Sequence, residues 1–486
     1  MNSCFRRSRP LVAGAALFLI TTQHLEAQPD ADALRLQKLE EELKAMRQQI
    51  IQLQEQHARE IVELKALIRP SGAAAADDAQ PMSSPVDRLP LYESLKRSVI
   101  PTGSAAAGNT GIDLDLAVVL DGALYHTSGE GAPHLRGKTA GFGHGHNDED
   151  GHHHDHGPHN GFNLRHVELG FSAEVDPYFR AWTTVAVDED GAELEEAVIQ
   201  TTSLPYGLTL SGGKLKSGIG RINRQHSHNW DFWDQPLVYE LLFGAHGLAE
   251  QGAQLTWLAP TSFYLLFGAE AFNGANENLF NVIGEDPLPQ HDAPRLWTGF
   301  VKYGPDLGDR NALQFGLSAL SGRHQVWHED EDEGADGRTF VYGCDFVYKY
   351  DAKRTHGAGD FTVQGEYFFR NQDLTGVDSI AGEPWTHEQD GYYLQTLYGF
   401  RPRWRAGLRW DQVGLTNTST TPEHGRERFD DSRRLAAMLV WKLSEFSLLR
   451  LQGGHGWYAL EEGRERAWEI ALQWQVTFGK HAAHDF

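Results

Sequence analysis

The stretch Arg466-Ala-Trp-Glu-Ile-Ala-Leu-Gln-Trp-Gln-Val-Thr-Phe-Gly479 decides how the rest of the chain is read. Trp468, Ile470, Leu472, Trp474, Val476 and Phe478 fall on one side, with Glu469, Ala471, Gln473, Gln475 and Thr477 on the other. A period of two held over this length is a β-strand with one apolar and one polar face. In a soluble sandwich the apolar face would meet a second sheet. In a membrane barrel it meets lipid, the polar face lines a wet lumen, and aromatic side chains gather near the interfaces. What the chain repeats elsewhere decides between the two.

The alternation recurs from Ile112 onward. Ile112, Leu114, Leu116, Val118 and Leu120 alternate with Asp113, Asp115 and Asp121, and similar rows follow at 263–271, 340–348, 361–369 and 404–410. The spacing predicts about sixteen strands, and an even number of roughly ten-residue strands is what a bacterial single-chain barrel requires. The predicted strands lie near 112–125, 162–175, 178–188, 193–203, 206–217, 249–258, 261–272, 294–303, 310–320, 338–350, 359–370, 389–400, 402–413, 431–443, 445–456 and 465–479. The connections differ in a regular way. Those at Asp176-Pro177, 204–207, Ala259-Pro260, Gly304-Pro305, Arg401-Pro402 and Ser444 are tight, whereas 126–161, 218–248, 273–293, 321–337, 371–388 and 414–430 are long. Tight periplasmic turns and long outer loops give a barrel this asymmetry, which a soluble two-sheet protein has no reason to show. The expected fold is therefore all-β: a sixteen-stranded antiparallel transmembrane β-barrel over 111–486, with an N-terminal α-helical coiled coil.

Ahead of the barrel, residues 1–27 read as a secretory signal peptide, with Arg6, Arg7 and Arg9 followed by an apolar run from Leu11 to Ile20 that is too short to span a bilayer. Its loss leaves Cys344 as the single cysteine, so no intramolecular disulfide is expected. In 33–68, Leu36, Leu39, Leu43, Met46, Ile50, Leu53, Leu64 and Leu67 form an a/d seam interrupted by His57 and Glu60. That seam predicts self-association of parallel helices in the periplasm, with a cell-wall or other periplasmic partner as a further expectation. Pro70 ends the helix, and 69–110 reads as a flexible linker. The formal charge of −24 speaks against nucleic acid as a partner.

The chemistry concentrates in loops and on one strand. In the external loop 143–160, His144, His146, His152, His153, His154, His156 and His159 stand among Asp148, Glu149, Asp150 and Asp155. Imidazole with carboxylate suits zinc, copper or nickel more than magnesium or calcium. The glycines make this an adaptable chelator rather than one preformed site, and Asp155 joins the histidines as a candidate ligand. The bland alternative is a solvated polar loop. The connection 218–248, a candidate constriction loop, carries Arg221, Arg224, His226, His228, Asp231 and Asp234 with Trp230, Phe232 and Trp233. A loop so aromatic is costly to leave in water and is expected to fold into the barrel. His226, His228 and Asp231 have a spacing compatible with a metal site, although pore-lining polar groups look the same. Arg403, Arg405 and Arg409 alternate with Trp404, Leu408 and Trp410, so arginines on the lumen face would attract anions. Alternatively, they pair with lumen carboxylates such as Asp113, Asp115, Glu168 and Glu174. The run from His328 to Gly334 reads as a charged outer lip or a solvated stretch. The tail carries His481 and His484 and ends on Phe486.

The coiled coil, the sixteen strands, the stretch 214–223 (Lys-Leu-Lys-Ser-Gly-Ile-Gly-Arg-Ile-Asn) and the run 230–239 (Trp-Asp-Phe-Trp-Asp-Gln-Pro-Leu-Val-Tyr) together resemble the phosphate-selective porin O/P-like group. The likeness is strongest to its branch labelled zinc-regulated outer-membrane proteins. The resemblance implies an outer-membrane porin, a trimer, basic residues selecting phosphate at the constriction, and a terminal aromatic at Phe486 read by the assembly machinery. Lys214 and Lys216 share parity with the outward Leu208 and Leu210, which puts such an anion site in doubt unless Gly212-Gly213 forms a bulge. The branch is sometimes described as a TonB-dependent receptor, but that needs about twenty-two strands and a folded plug, and 28–110 is too short for one. The reading is passive diffusion of small hydrophilic solutes, extending to divalent metal such as Zn²⁺ aided by the His-rich loop. The alternatives are an anion-selective pore and a surface metal buffer or structural protein. No cofactor is required on this reading. No Ser/His/Asp arrangement or phosphate-cradling Gly-rich loop suggests an enzyme.

Overall fold

A computed structural model describes residues 114–142, 157–188, 191–280, 294–328, 333–378 and 380–479. The signal, coiled-coil and linker segments, Asp113, most of the His-rich loop and the tail from 480 lie outside these residues. The described chain forms a closed antiparallel barrel. Its strands are β1 (Leu114–Thr127), β2 (Gly161–Asp176), β3 (Phe179–Val187), β4 (Ala192–Thr201), β5 (Leu208–Lys216), β6 (Ala249–Leu258), β7 (Tyr264–Phe272), β8 (Leu296–Gly304) and β9 (Asn311–His328). They continue with β10 (Glu333–Tyr350), β11 (Phe361–Asp378), β12 (Pro384–Arg401), β13 (Trp404–Thr421), β14 (Gly425–Arg428), β15 (Ser432–Lys442), β16 (Ser447–Leu460) and β17 (Gly463–Gly479). Each pairs with its neighbour in sequence, and β1 pairs with both β2 and β17, which closes the wall. Because β13 pairs directly with β15, the four-residue β14 is a hairpin added to the upper part of β13, and sixteen strands make the wall. Closure leaves no edge with unpaired backbone groups, a requirement for any sheet placed in lipid.

The polarity is inverted relative to a soluble fold. On β17, Trp468 is 45% and Phe478 51% exposed on the outside, while Glu469 and Gln473 are 6% and 0% exposed on the inside. The outer surface carries the apolar rows expected from the alternation, including Leu120 and Leu124 on β1, Leu317 on β9, Leu408 on β13 and Leu451 on β16. Aromatic pairs stack beside the tight turns: Trp404 with Trp441 at 5.5 Å and Trp257 with Phe267 at 5.5 Å. These are the apolar band and aromatic girdle that a bilayer demands of a barrel. Cys344 also lies on this outer face.

Two expectations about the connections change. The described parts of 321–337, 371–388 and 414–430 are mostly not loops but continuations of long strands, and β9 to β13 each run for 18 residues. Their tops read as loops because above the bilayer neither face needs to be apolar. Of the charged run at 328–334, His328 ends β9 and Glu333 opens β10, while 329–332 lie outside the described residues. The connection 351–360 is ten residues long and contains a short 3₁₀ turn at Thr355–Gly357, so this end of the barrel is not uniformly tight.

Candidate functional site

The connection between β5 and β6 folds into the barrel, together with short helices from two other connections. These helices are α1 (Ala132–Gly137), α2 (Leu237–Phe243) within the β5–β6 connection, and α3 (Glu277–Phe280). Inside, Ile219, Ile222, Leu237, Val238, Leu242 and Phe243 join one apolar cluster with wall residues such as Leu215, Phe272, Leu320, Phe368, Tyr393, Val413 and Tyr458. Phe232 packs on Leu397, Ala436, Met438 and Val440, and Trp233 on Ala123, Tyr125 and Ala471. The aromatic content that predicted an inward fold therefore reaches wall strands on most sides of the barrel.

Backbone N–H groups of the inserted segments are held by acidic side chains from the wall. Glu366 of β11 accepts from Arg221 N at 2.7 Å and Ile222 N at 3.0 Å, and from the hydroxyls of Tyr239 and Tyr393, both at 2.7 Å. Glu270 of β7 accepts from Gly218 N at 2.8 Å and from the Ser217 hydroxyl. Glu250 of β6 takes the amides of Gly274, Ala275 and Asn276 at 2.6–3.0 Å. Gly220 has φ +55°, and a Cβ there would lie 2.2 Å from the Tyr239 hydroxyl and 2.3 Å from Glu366, so only glycine lets the backbone come this close.

A network of charges fastens the other end of the loop. Asp234 meets Arg409 at 2.8 Å and Arg434 at 2.6 Å, while Asp411 meets the same two arginines at 3.0 and 3.1 Å. Asp411 also accepts Leu237 N at 3.1 Å, at the start of α2. Burial alone would raise the Asp234 carboxyl, but Arg409 and Arg434 overcome it and hold the group well below the usual carboxylate range. Arg136 of α1 bridges Glu240 at 2.9 Å and Glu469 at 3.2 Å. Two guanidiniums facing two carboxylates leave little net charge for a passing anion to feel.

The predicted site residues fall accordingly. Arg405 faces Asp231 at 3.3 Å, so Arg405 and Arg409 are matched by carboxylates, though by Asp231, Asp234 and Asp411 rather than by Asp113, Asp115, Glu168 or Glu174. Arg403 is not on the lumen wall: it sits in the β12–β13 turn at φ +67° and donates to the Leu443 carbonyl at 2.9 Å. Arg221 is buried against Gln364, and Arg224 is exposed on the inserted segment. Asp115 points inward, half-buried, between the outward Leu114 and Leu116. Lys214 keeps the outward parity of Leu208 and Leu210 and lies 3.6 Å from Glu193, while Leu215 turns into the interior cluster. Of the His-rich set, His159 is described: its backbone is pinned by Asn163 and its side chain is exposed. His144, His146, His152, His153, His154, Asp155 and His156 lie outside the described residues.

His226 and His228 do come together, stacked at 5.9 Å, but not with Asp231. They meet carboxylates of the β2–β4 wall that the spacing did not point to. His226 Nδ1 is 2.6 Å from Glu195, its Nε2 is 2.8 Å from Glu196, and Glu168 is 4.0 Å from Nδ1. His228 Nδ1 is 2.8 Å from Glu168, and His166 Nε2 lies 4.0 Å from the same carboxylate and 3.2 Å from the Ser227 hydroxyl. Burial works to lower the His226 imidazole, but the hydrogen bonds to Glu195 and Glu196 prevail and raise it to about 9. Two β-bulges build this arrangement. The β3–β4 register shifts at Thr184/Val185, which lets the successive Glu195 and Glu196 both reach the interior, and the β1–β2 register shifts at Asp121/Gly122, which does the same for Arg165 and His166.

These features define a sixteen-stranded barrel of inverted polarity with a charged and aromatic segment fastened across its interior. An uncharacterised protein of Aquifex aeolicus (strain VF5) is 39% identical over 349 residues, which cover 68% of this chain and 72% of that one; the chain belongs to the same family. No family model matches the chain. Among solved structures, the outer-membrane channel DcaP of Acinetobacter baumannii overlays at a TM-score of 0.48 and 9% identity, covering 76% of this chain and 99% of that one. An anion-selective porin from Comamonas acidovorans gives 0.45 and 11%, covering 76% and 100%. OmpT of Vibrio cholerae in its trimer form gives 0.43 and 12%, with 76% and 100% covered. Likenesses this loose decide nothing about solute or assembly.

Proposed function

We propose that this chain is an outer-membrane channel through which small hydrophilic solutes diffuse, with divalent cations such as Zn²⁺ among them. The observation that carries the reading is the closed sixteen-strand wall, apolar outside and polar inside, with a charged segment folded across its lumen. A polar, charged interior behind a lipid-facing wall is what a water-filled passage requires. The reading includes the His-rich loop 143–160 as a collector of metal at the outer mouth. It also includes self-association as a homotrimer and a signal peptide, periplasmic coiled coil and linker ahead of the barrel. Cations are favoured over phosphate-like anions because Arg405 and Arg409 already face Asp231, Asp234 and Asp411, while Glu168, Glu195 and Glu196 gather on the other side around His226 and His228.

The purified protein in a planar bilayer tests this. Conductance is expected, with a reversal potential under a salt gradient that shows cation preference and a current altered by Zn²⁺. A clear anion preference without any response to Zn²⁺ would sink the cation reading, and no conductance at all would sink the channel. Deleting 143–160 separates transport from surface buffering: a buffer loses Zn²⁺ binding with conductance unchanged.

A further inference from the structure

We infer that Glu168, Glu195 and His226 form a binding site for one divalent transition-metal ion, where the inserted loop meets the β2–β4 wall. One ligand atom from each residue lies within 4.8 Å of the others, and all three side chains are largely buried. Tetrahedral zinc with ligands about 2.1 Å away needs those atoms roughly 3.4 Å apart, so small rotamer shifts close the set.

The groups around the ring suit a metal on one nitrogen and a carboxylate on the other. Both ring nitrogens of His226 face carboxylates, Nδ1 toward Glu195 and Glu168, Nε2 toward Glu196. As an imidazolium the ring donates to both sides. A metal between Glu195 and Glu168 takes the place of the Nδ1 proton, which is released to solvent. The Nε2–H then donates to Glu196 and fixes the tautomer, the arrangement in which a ligating histidine is held by a carboxylate on its far side. Glu168 is oriented in turn by His228 at 2.8 Å. The three carboxylates have His226, His228 and Lys216 beside them, and an ion that displaces the His226 proton keeps positive charge among them. Mixed imidazole and carboxylate ligation selects zinc, cobalt or nickel over magnesium and calcium. Three protein ligands leave a fourth position for water, which suits an ion that exchanges. Glu196 is a positioning residue and not a ligand.

The inference rests on side-chain geometry and does not depend on conduction, so binding is measured in detergent and read separately from bilayer current. The full chain, with the histidines of loop 143–160 replaced by asparagine to remove their background, is titrated with Zn²⁺ by calorimetry. One ion per chain is expected. Glu195→Gln and His226→Gln should each weaken binding at least tenfold. Glu196→Gln should preserve the stoichiometry while shifting the visible spectrum of the Co²⁺-loaded protein. Heat-modifiable mobility on gels verifies folding, and should His226→Gln fail to fold, Glu195→Gln carries the test. Absence of Zn²⁺ binding in the loop-substituted chain, or undiminished affinity in Glu195→Gln, would overturn the assignment.

Discussion

The two sides of the barrel interior hold the same inserted segment by opposite means. On the β11–β17 side, guanidiniums and carboxylates are matched, Asp234 and Asp411 with Arg409 and Arg434, and the surroundings are apolar. On the β2–β4 side, Glu168, Glu195 and Glu196 gather around the imidazoles of His226 and His228, with Lys216 nearby. The guanidinium side behaves as a clasp. The imidazole side offers groups that can exchange a proton for a metal, and that is where an ion has a reason to stop. One loop thus separates mechanical fixation from chemistry by the wall each of its ends touches.

That contrast is open to attack, beginning with the clasp. Asp234→Asn leaves Arg409 and Arg434 buried with one partner fewer, an effect of about 3–5 kcal/mol when a buried pair is broken. The expected outcome is a lower thermal midpoint of heat modifiability and a larger, noisier single-channel current. A midpoint equal to the parent's would mean that the segment is not fastened there. Placing arginine at Leu472, on the lipid side of β17, should cost about 2–4 kcal/mol, whereas glutamine at the same place should be milder. Refolding into lipid vesicles under a urea titration checks it, and equal effects would mean that this row does not face hydrocarbon. Glu366→Gln puts an amide against four donors and should cost about 1–3 kcal/mol, seen as faster hydrogen exchange at Arg221 and Ile222. At the small end, Ser227→Ala removes a single 3.2 Å contact to His166 and should alter stability by under about 0.5 kcal/mol. A larger loss would show that the imidazole side also bears load.

The wall was readable from alternation because lipid enforces it residue by residue. The predicted 249–258 coincides with β6, and the remaining wall strands overlap their predicted spans. Legibility stops where lipid stops. Ser321–His328 continues β9 but carries polar side chains on both faces, so nothing distinguishes it from a loop. At the site, His226 and His228 were visible as chemistry and their partners were not. Glu195-Glu196 breaks the alternation of β4, and this is the signature of a bulge; the same holds for Arg165-His166 in β2. Adjacent polar residues inside an otherwise alternating strand are the signal that would have found the cluster. Of the two partners of Arg409, Asp234 is 175 residues away in sequence, a distance no spacing rule crosses, whereas Asp411 lies two residues on along the same lumen face and was the signal that spacing did carry.

The strand lengths give the wall a long flank and a short one. At about 3.3 Å per residue, the 18-residue strands β9 to β13 run for about 60 Å, while β3, β5, β7 and β8, with 9 residues each, run for about 30 Å. The wall is therefore longest along β9–β13 and shortest along β3–β8, and the inserted loop leaves from β5 and returns to β6 within the short stretch. Glu195 and Glu196 are the fourth and fifth residues of β4, so the imidazole–carboxylate cluster belongs to the short flank of the wall.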